Sequence, residues 1–426
     1  MNNLNMRTMR LTVLILVLVF CGTTLFAGGA KENPKAGPVA LRWMMQAGTP
    51  TEVEQWKELA ADVTKKYPNI TVTLETTDFS SYWTKLPAEI ASGTTADILY
   101  MQSLRTKGFA EKAARPMNDY INADKELDYK DFVEAIMNGL SVDGKIYGLP
   151  YDIGPYMLFY NADLFDRYGV PYPDDKMDWR GFLDRARKLT RDGNYGYAIS
   201  THFDRSIPFI WGNGGVFFDK SGRYNIMDPK TIEALKFYHG LLAIEKVAQP
   251  IADTGNVNQD RETFYSGKAG MYMDGPWNIT NIKRFGKFRV GAAPMVIGVE
   301  KRVTPTIGSG FMISKTSKFP EETYRAITVI TSKQSLEKLA TWGRALPARK
   351  SVMSVFAKNH SDVIGLSQAL EVSAQPGVSV AYEAPATYQE AYQILVKNLT
   401  EPVLVGKETV EVAAAKTQRL LDGIRP

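Results

Sequence analysis

The run Met271-Tyr272-Met273-Asp274-Gly275-Pro276-Trp277 follows Phe264-Tyr265-Ser266-Gly267-Lys268-Ala269-Gly270 and sets an indole where binding chemistry is done. Its alternating side chains read as a short strand, and Gly275-Pro276 breaks that strand, so Trp277 is thrown out at the sheet edge where loops build sites. Covalent chemistry has less to point to. The chain carries no Gly-x-Ser-x-Gly nucleophile elbow and no P-loop, and His202, His239 and His360 are too scattered for a metal set; each reads better as a surface or packing residue. The 46 acidic residues guarantee some carboxylate pair, so their number does not argue for acid–base catalysis.

The elements that must position these residues begin with an apolar strand, Ala40-Leu41-Arg42-Trp43-Met44-Met45. A turn at Gly48-Thr49-Pro50 leads to Thr51-Glu52-Val53-Glu54, which has the capping-box pattern of a helix start. Trp56, Leu59, Ala60, Val63 and Tyr67 then share one helical face, and Pro68 ends that helix. Ile70, Val72 and Leu74 alternate as a strand, a helix over 82–91 closes at Gly93, and Asp97-Ile98-Leu99-Tyr100-Met101 is a further buried strand. This order predicts a parallel α/β sheet with ligands at the carboxyl ends of its strands. An Asp143-Gly144 hairpin turn then joins short strands running to Asn161, a crossover between lobes. Helical patterns follow over 179–191, 231–245, 320–342, 385–398 and 409–424, with strand at 193–197; no repeat or low-complexity tract interrupts them.

At the N-terminus, Arg7 and Arg10 precede an apolar run over 11–20 and small residues up to Ala30, the pattern of a removable export signal over 1–27, followed by a linker over 28–37. The apolar run is too short for a membrane span of about 20 residues. Cys21 is the sole cysteine, so no internal disulfide forms. Leu18-Val19-Phe20-Cys21 partly resembles a bacterial lipobox, with bulky Phe20 where a small residue is expected; Cys21 either receives a lipid or is discarded by cleavage near Ala27 or Gly29. Both outcomes place the protein outside the cytoplasmic membrane, in the periplasm or at the extracytoplasmic surface of that membrane. A chain of 426 residues exceeds one core, so two domains are expected. The +5 charge is spread along the chain, and Lys65-Lys66 and Arg349-Lys350 are isolated doublets, so no nucleic-acid or membrane-surface partner follows from charge.

An ordered series of motifs resembles one family. Trp83-Thr84-Lys85-Leu86 leads to Ala91-Ser92-Gly93-Thr94-Thr95-Ala96-Asp97-Ile98, with Ala96 where proline is usual. Asp143-Gly144-Lys145-Ile146-Tyr147-Gly148-Leu149-Pro150-Tyr151-Asp152 follows, then Phe159-Tyr160-Asn161 and Leu164-Phe165. Trp211-Gly212-Asn213-Gly214-Gly215, the block ending in Trp277, Ala293-Pro294, Gly308-Ser309-Gly310 and Leu346-Pro347-Ala348 complete it. The series resembles the family 1 extracellular solute-binding proteins, sugar-capturing subunits of bacterial ABC importers.

That resemblance implies an α/β protein of two-lobed periplasmic-binding-protein fold, with several interlobe crossovers and a ligand cleft between lobes. Lobe one would take residues 38–150 with 310–346 returning to it, and lobe two 151–309 with 347–426. It implies a monomer that binds a carbohydrate reversibly, needs no cofactor or metal, and hands its ligand to ABC permease subunits. Trp277 matches the family's sugar-stacking tryptophan. Trp211 and Asn213 precede Gly214-Gly215 in a cleft loop, the alternative for Trp211 being a helix-end packing role. Gln46 lies past the first strand, where the family places a polar contact, or faces water as a loop amide. Asp152 accepts from a hydroxyl or caps a turn, and Arg344 donates to vicinal hydroxyls or forms a surface ion pair. Tyr388 lies on the helix where a member of the family carries a second stacking aromatic; its spacing from Ala384, Ala391 and Tyr392 also suits a core position. Two alternatives remain at this point: a glycoside hydrolase, with two carboxylates about 5 to 10 Å apart, and the same fold binding a polyamine or other non-sugar solute.

Overall fold

The computed structural model describes residues 37–219, 221–256 and 258–424, apart from the side chain of Ser80. The export signal, Cys21 and the linker up to residue 36 lie outside the described residues.

Strands β1 (Val39–Gln46), β2 (Ile70–Thr77) and β3 (Ile98–Gln102) are parallel, with β1 in the middle. Helices Pro50–Lys66 and Phe79–Ser92 make the crossovers. The first helix is capped two residues earlier than its sequence suggests. Thr49 is the cap, its hydroxyl accepting from Glu52 N at 3.2 Å, while Glu52 turns back to accept from Gly48 N at 2.7 Å. Pro50 at the first helical position, where no N–H is needed, fixes this choice.

Strands β4 (Ser141–Val142) and β5 (Lys145–Ile146) form the expected hairpin, with Asp143 and Gly144 at φ 49° and 75°, the left-handed geometry a two-residue turn demands. The chain then runs through β6 (Gly148–Pro155) and β7 (Met157–Asn161) into a second sheet. That sheet adds β8 (Tyr195–Ala198), β9 (Ala269–Asp274) and β10 (Val290–Ala293) in the order β10-β7-β9-β8. β11 (Thr304–Ile313) returns the chain, pairing antiparallel with both β3 and β6, and short β12 (Ser379–Ala381) lies parallel beside its start. The first sheet is therefore mixed, where a parallel one was expected. β6 and β11 enter it as crossing strands, free of the helical crossover that enforces parallel pairing.

Period-two alternation builds the cores. In the second sheet Leu158, Tyr160, Met271 and Met273 face one apolar cluster, and Met157, Phe159 and Tyr272 face another. The first lobe, built on β1, β2 and β3, has its own core, which β6 and β11 enter through Leu149, Tyr151, Phe311 and Ile313. Four rings clamp the crossing pair there. Trp43 meets Trp56 and Phe311 edge-on at 5.7 and 5.1 Å, Trp56 meets Tyr151 at 5.3 Å, and Tyr151 stacks on Phe311 at 5.1 Å. Such pairs each add about 0.5–1.5 kcal/mol beyond their buried area. Beyond this clamp the pairing slips: Ser309 opposes Asp152 but Gly310 opposes Pro150, a bulge that leaves Tyr151 as the extra residue.

The helical pattern over 320–342 is two helices, Pro320–Ile330 and Lys333–Thr341. Ser332 caps the second by accepting from Ser335 N at 3.2 Å, and Thr331 Oγ1 donates to Ile327 O at 2.8 Å. Both polar side chains compete with a continuous helix. No helix among the described residues is long and apolar enough to cross a membrane.

Candidate functional site

Trp277 lies on a 3-10 turn, Pro276–Asn278, directly after β9. It is half-buried, and its ring covers backbone: a Cβ built on Gly154 of β6 would lie 2.2 Å from Trp277 Cζ3, and one on Gly275 would lie 2.1 Å from it. Only glycine leaves that platform open. The ring edge meets Tyr156 at 6.0 Å. Tyr156 in turn carries the guanidinium of Arg205, whose Cζ sits 4.4 Å over the tyrosine ring.

Asp204, beside Arg205 on the turn Phe203–Ser206, accepts a hydrogen bond from the Tyr388 hydroxyl. Tyr388 is buried and meets Tyr382 at 5.3 Å and Tyr392 at 5.9 Å; Tyr382 meets half-buried Trp211 edge-on at 5.4 Å. Tyr392 OH pairs with His202 Nδ1 at 2.6 Å. Trp277, Tyr388 and Trp211 thus all pack on the same apolar cluster of the second lobe. Burial raises the Asp204 pKa above the ordinary carboxylate value, with Tyr388, Arg105 and Arg205 opposing.

The first lobe supplies the facing group. After β3, residues 103–105 turn toward the second lobe, and Leu104 packs in that lobe's core. Arg105 stacks over Trp83 with Cζ 4.4 Å from the ring centroid, and its Nε donates to Gln102 Oε1 at 3.0 Å. Its Nη1 is buried without a protein partner. Burial lowers the Arg105 pKa, and the charges that counter it come first from Asp204, then from Tyr392 and Tyr388. A buried guanidinium of the first lobe and a buried carboxylate of the second are therefore close enough to feel each other's charge. The lobes also touch at Gly108, where a Cβ would lie 2.6 Å from the Ala386 carbonyl oxygen.

The other expected residues sit elsewhere. Asp152 is buried at the bulge, where Oδ1 accepts from Ser309 N at 2.6 Å, and burial pushes its pKa up to about 7 against the opposing pull of Arg344. Arg344 forms no surface pair; its side chain is nearly buried, Nη2 lies 3.8 Å from Glu52 Oε2, and Cζ lies 5.6 Å from the Trp56 ring. Asn213 is 2% exposed and spends its amide on Lys230 O at 2.8 Å and Glu233 Oε2 at 3.0 Å, a packing role within the second lobe. Gln46 ends β1 half-buried, and an open cavity of about 410 Å³ lined by Ala47, Gly48, Thr49, Pro50, Val53 and Glu54 follows it. His239 and His360 are buried, and burial lowers both pKa values to about 4. Among the described residues no group of three or more His, Cys, Asp or Glu is placed to hold a metal ion.

Sequence reasoning missed Arg105, Asp204, Tyr156 and Tyr382. Arg105 carried a usable signal: it follows the carboxyl end of a strand in an α/β sheet, where ligands bind. Asp204 has no such mark.

The chain thus forms two lobes joined by the crossing strands β6 and β11. Its architecture is that of a two-lobed α/β binding protein. Residues 47–337 match the family described as Bacterial extracellular solute-binding protein, and the chain belongs to that family. A binding protein of Brucella abortus (strain 2308) is 25% identical over 366 residues, covering 83% of this chain and 86% of the relative. The maltodextrin-binding protein MdxE of Bacillus subtilis (strain 168) is 25% identical over 291 residues, 63% of this chain and 65% of the relative. The fold is similar to that of the ABC substrate-binding protein Lmo0181 from Listeria monocytogenes in complex with cycloalternan, with TM-score 0.81, 22% identity, and 90% and 98% of the two chains covered.

Proposed function

We propose that this protein captures a carbohydrate reversibly outside the cytoplasmic membrane, without converting it, and delivers it to the permease of an ABC importer. The observation that carries this reading is Trp277, whose ring is backed on Gly154 and Gly275, meets Tyr156 edge-on and packs on the same apolar cluster as Tyr388. A sugar offers polarised CH groups to such a ring and hydroxyls that both donate and accept, which suits Arg105 and Asp204 together. The relatives support the class: one binds maltodextrin by its name, and one structural neighbour holds cycloalternan. A hydrolase reading has less support, because Asp274, the carboxylate beside Trp277, is fully buried and bonded to Arg205, so it is not free to work as the second of a catalytic pair with Asp204.

In this reading the lobes divide near residues 150, 310 and 346, β6 and β11 form the hinge, and the solute shifts the population toward closure because contacts from both lobes become simultaneous only there. The mature protein is a monomer, freed of its signal or held by a lipid on Cys21. A thermal-shift screen against mono- and oligosaccharides, polyamines and amino acids tests the reading. A sugar at about 100 times its dissociation constant should stabilise by about 2.7 kcal/mol and be recovered unchanged. Stabilisation by a polyamine alone, or multiple-turnover product from any bound sugar, contradicts it.

A further inference from the structure

The loop that carries Trp277 is gripped from beneath by a carboxylate with no exposure. Asp274, the last residue of β9, has a side chain 0% exposed and accepts from Gly275 N and Asn278 Nδ2, both at 2.9 Å, on either side of Trp277. The Tyr272 hydroxyl also donates to it, and Arg261 Nε lies 3.4 Å from Oδ2. Arg205 Nη2 completes the set at 2.8 Å. The Cζ of the same guanidinium lies 4.4 Å from the Tyr156 ring centroid, and Tyr156 meets the Trp277 ring edge. Arg205 therefore touches both supports of the indole, the base of its loop and its ring neighbour.

Stability alone gives little reason for an arginine here. Its side chain is 6% exposed and its Nε is buried without a partner. Buried ion pairs are often no more stabilising than apolar packing of similar volume, and an unmet buried donor costs free energy. What the guanidinium supplies that a hydrocarbon does not is direction: a flat fork that bonds a carboxylate edge-on while stacking on a ring.

We propose that Arg205 is a positioning residue for ligand binding: acting through Asp274 and Tyr156, it fixes the plane of the Trp277 indole without touching the solute. The inference rests on the stacking role proposed for Trp277. The neighbouring Asp204 accepts from the Tyr388 hydroxyl, so one turn, Phe203–Ser206, reaches both Tyr156 and Tyr388 with side chains of opposite charge.

Fluorine NMR of the mature protein labelled with fluorotryptophan tests this without a ligand. The chain has seven tryptophans, and loss of one resonance in Trp277→Phe assigns the one at issue. In Arg205→Lys, whose ammonium reaches Asp274 as a point charge but cannot stack flat on Tyr156 at the same time, the Trp277 resonance should shift or split by more than its linewidth. The resonances of Trp43 and Trp56, in the first lobe's core, should stay in place. Asp274→Asn should move the same resonance; where that variant does not fold, Arg205→Lys decides alone. An unmoved Trp277 resonance overturns the inference, and so does an equal shift of all seven, which marks general loosening. Failure of the stacking role is read separately, as unchanged sugar affinity in Trp277→Ala.

Discussion

The Trp277 ring rests on the backbone of Gly154, so closely that a methyl group on Gly154 would lie 2.2 Å from Cζ3. Gly154 belongs to β6, one of the crossing strands, so the ring is seated on a segment that joins the two sheets. Gly154→Ala should push the indole off its seat. We expect sugar affinity to fall on the order of tenfold or more, equivalent to about 1.4 kcal/mol, and the fold to lose about 1–3 kcal/mol through overpacking. In a Trp277→Ala background the methyl group has room, and melting temperatures should show little further loss. Equal losses in both backgrounds would mean that the clash lies elsewhere.

Gly108, in the helix Thr106–Ala113 of the first lobe, meets Ala386 across the gap. Alanine at 108 favours the helix by up to about 1 kcal/mol but opposes the approach of Ala386. Calorimetric titration should therefore show weaker sugar binding while the melting temperature of the unliganded protein holds or rises. Unchanged affinity would remove this contact from the account of closure.

Asp152 gives stability a pH dependence with a definite sign. Its folded pKa is raised to about 7 from the ordinary 3.8, so its contribution is complete below about pH 4 and is lost as pH rises through 7. Buried His239 and His360, with pKa lowered to about 4, act oppositely, losing stability as pH falls from 6.5 toward 4. Comparison with Asp152→Asn isolates the carboxyl group. Between pH 4 and 7 the wild-type protein should lose stability relative to that variant by up to about 1.4 kcal/mol per pH unit, measured by denaturant titration. A pH-independent difference contradicts it.

Much of the first lobe was legible because its signals are local: alternating apolar residues in β1, β2 and β3, Pro68 and Gly93 as stops, and the Asp143-Gly144 turn. The crossing was not. β6 and β11 pair Pro150 with Gly310 across 160 positions of chain, and nothing in either segment names its partner. The site divides in the same way. Trp277 is announced by the Gly-Pro break beside it, whereas Trp211 lies in the helix Ile207–Gly212 where a cleft loop was expected, and Asn213, which ends that helix, is drawn inward by Lys230 and Glu233, contacts invisible in sequence. Arg105 and Asp204 are 99 positions apart in the chain, and nothing near either one marks the other.

Export is tested on the native protein. Arg7, Arg10 and the apolar run after them predict that mass spectrometry finds no peptide from before Cys21. A diacylglyceryl adduct on Cys21 selects the anchored form, and a free terminus between Gly28 and Lys31 selects the soluble one. An intact Met1 terminus contradicts both.

The central claim is that Trp277 stacks on a sugar, and Trp277→Ala tests it when affinity and melting temperature are measured on the same sample. Loss of ring contact should cost roughly 2 to 4 kcal/mol of binding, a fall in affinity on the order of 30-fold or more, while the unliganded protein melts close to the wild-type temperature. Truncating a core tryptophan would instead cost about 3 to 5 kcal/mol of fold stability. Unchanged affinity with a collapsed melting temperature would show that Trp277 is structural and that the cleft lies elsewhere.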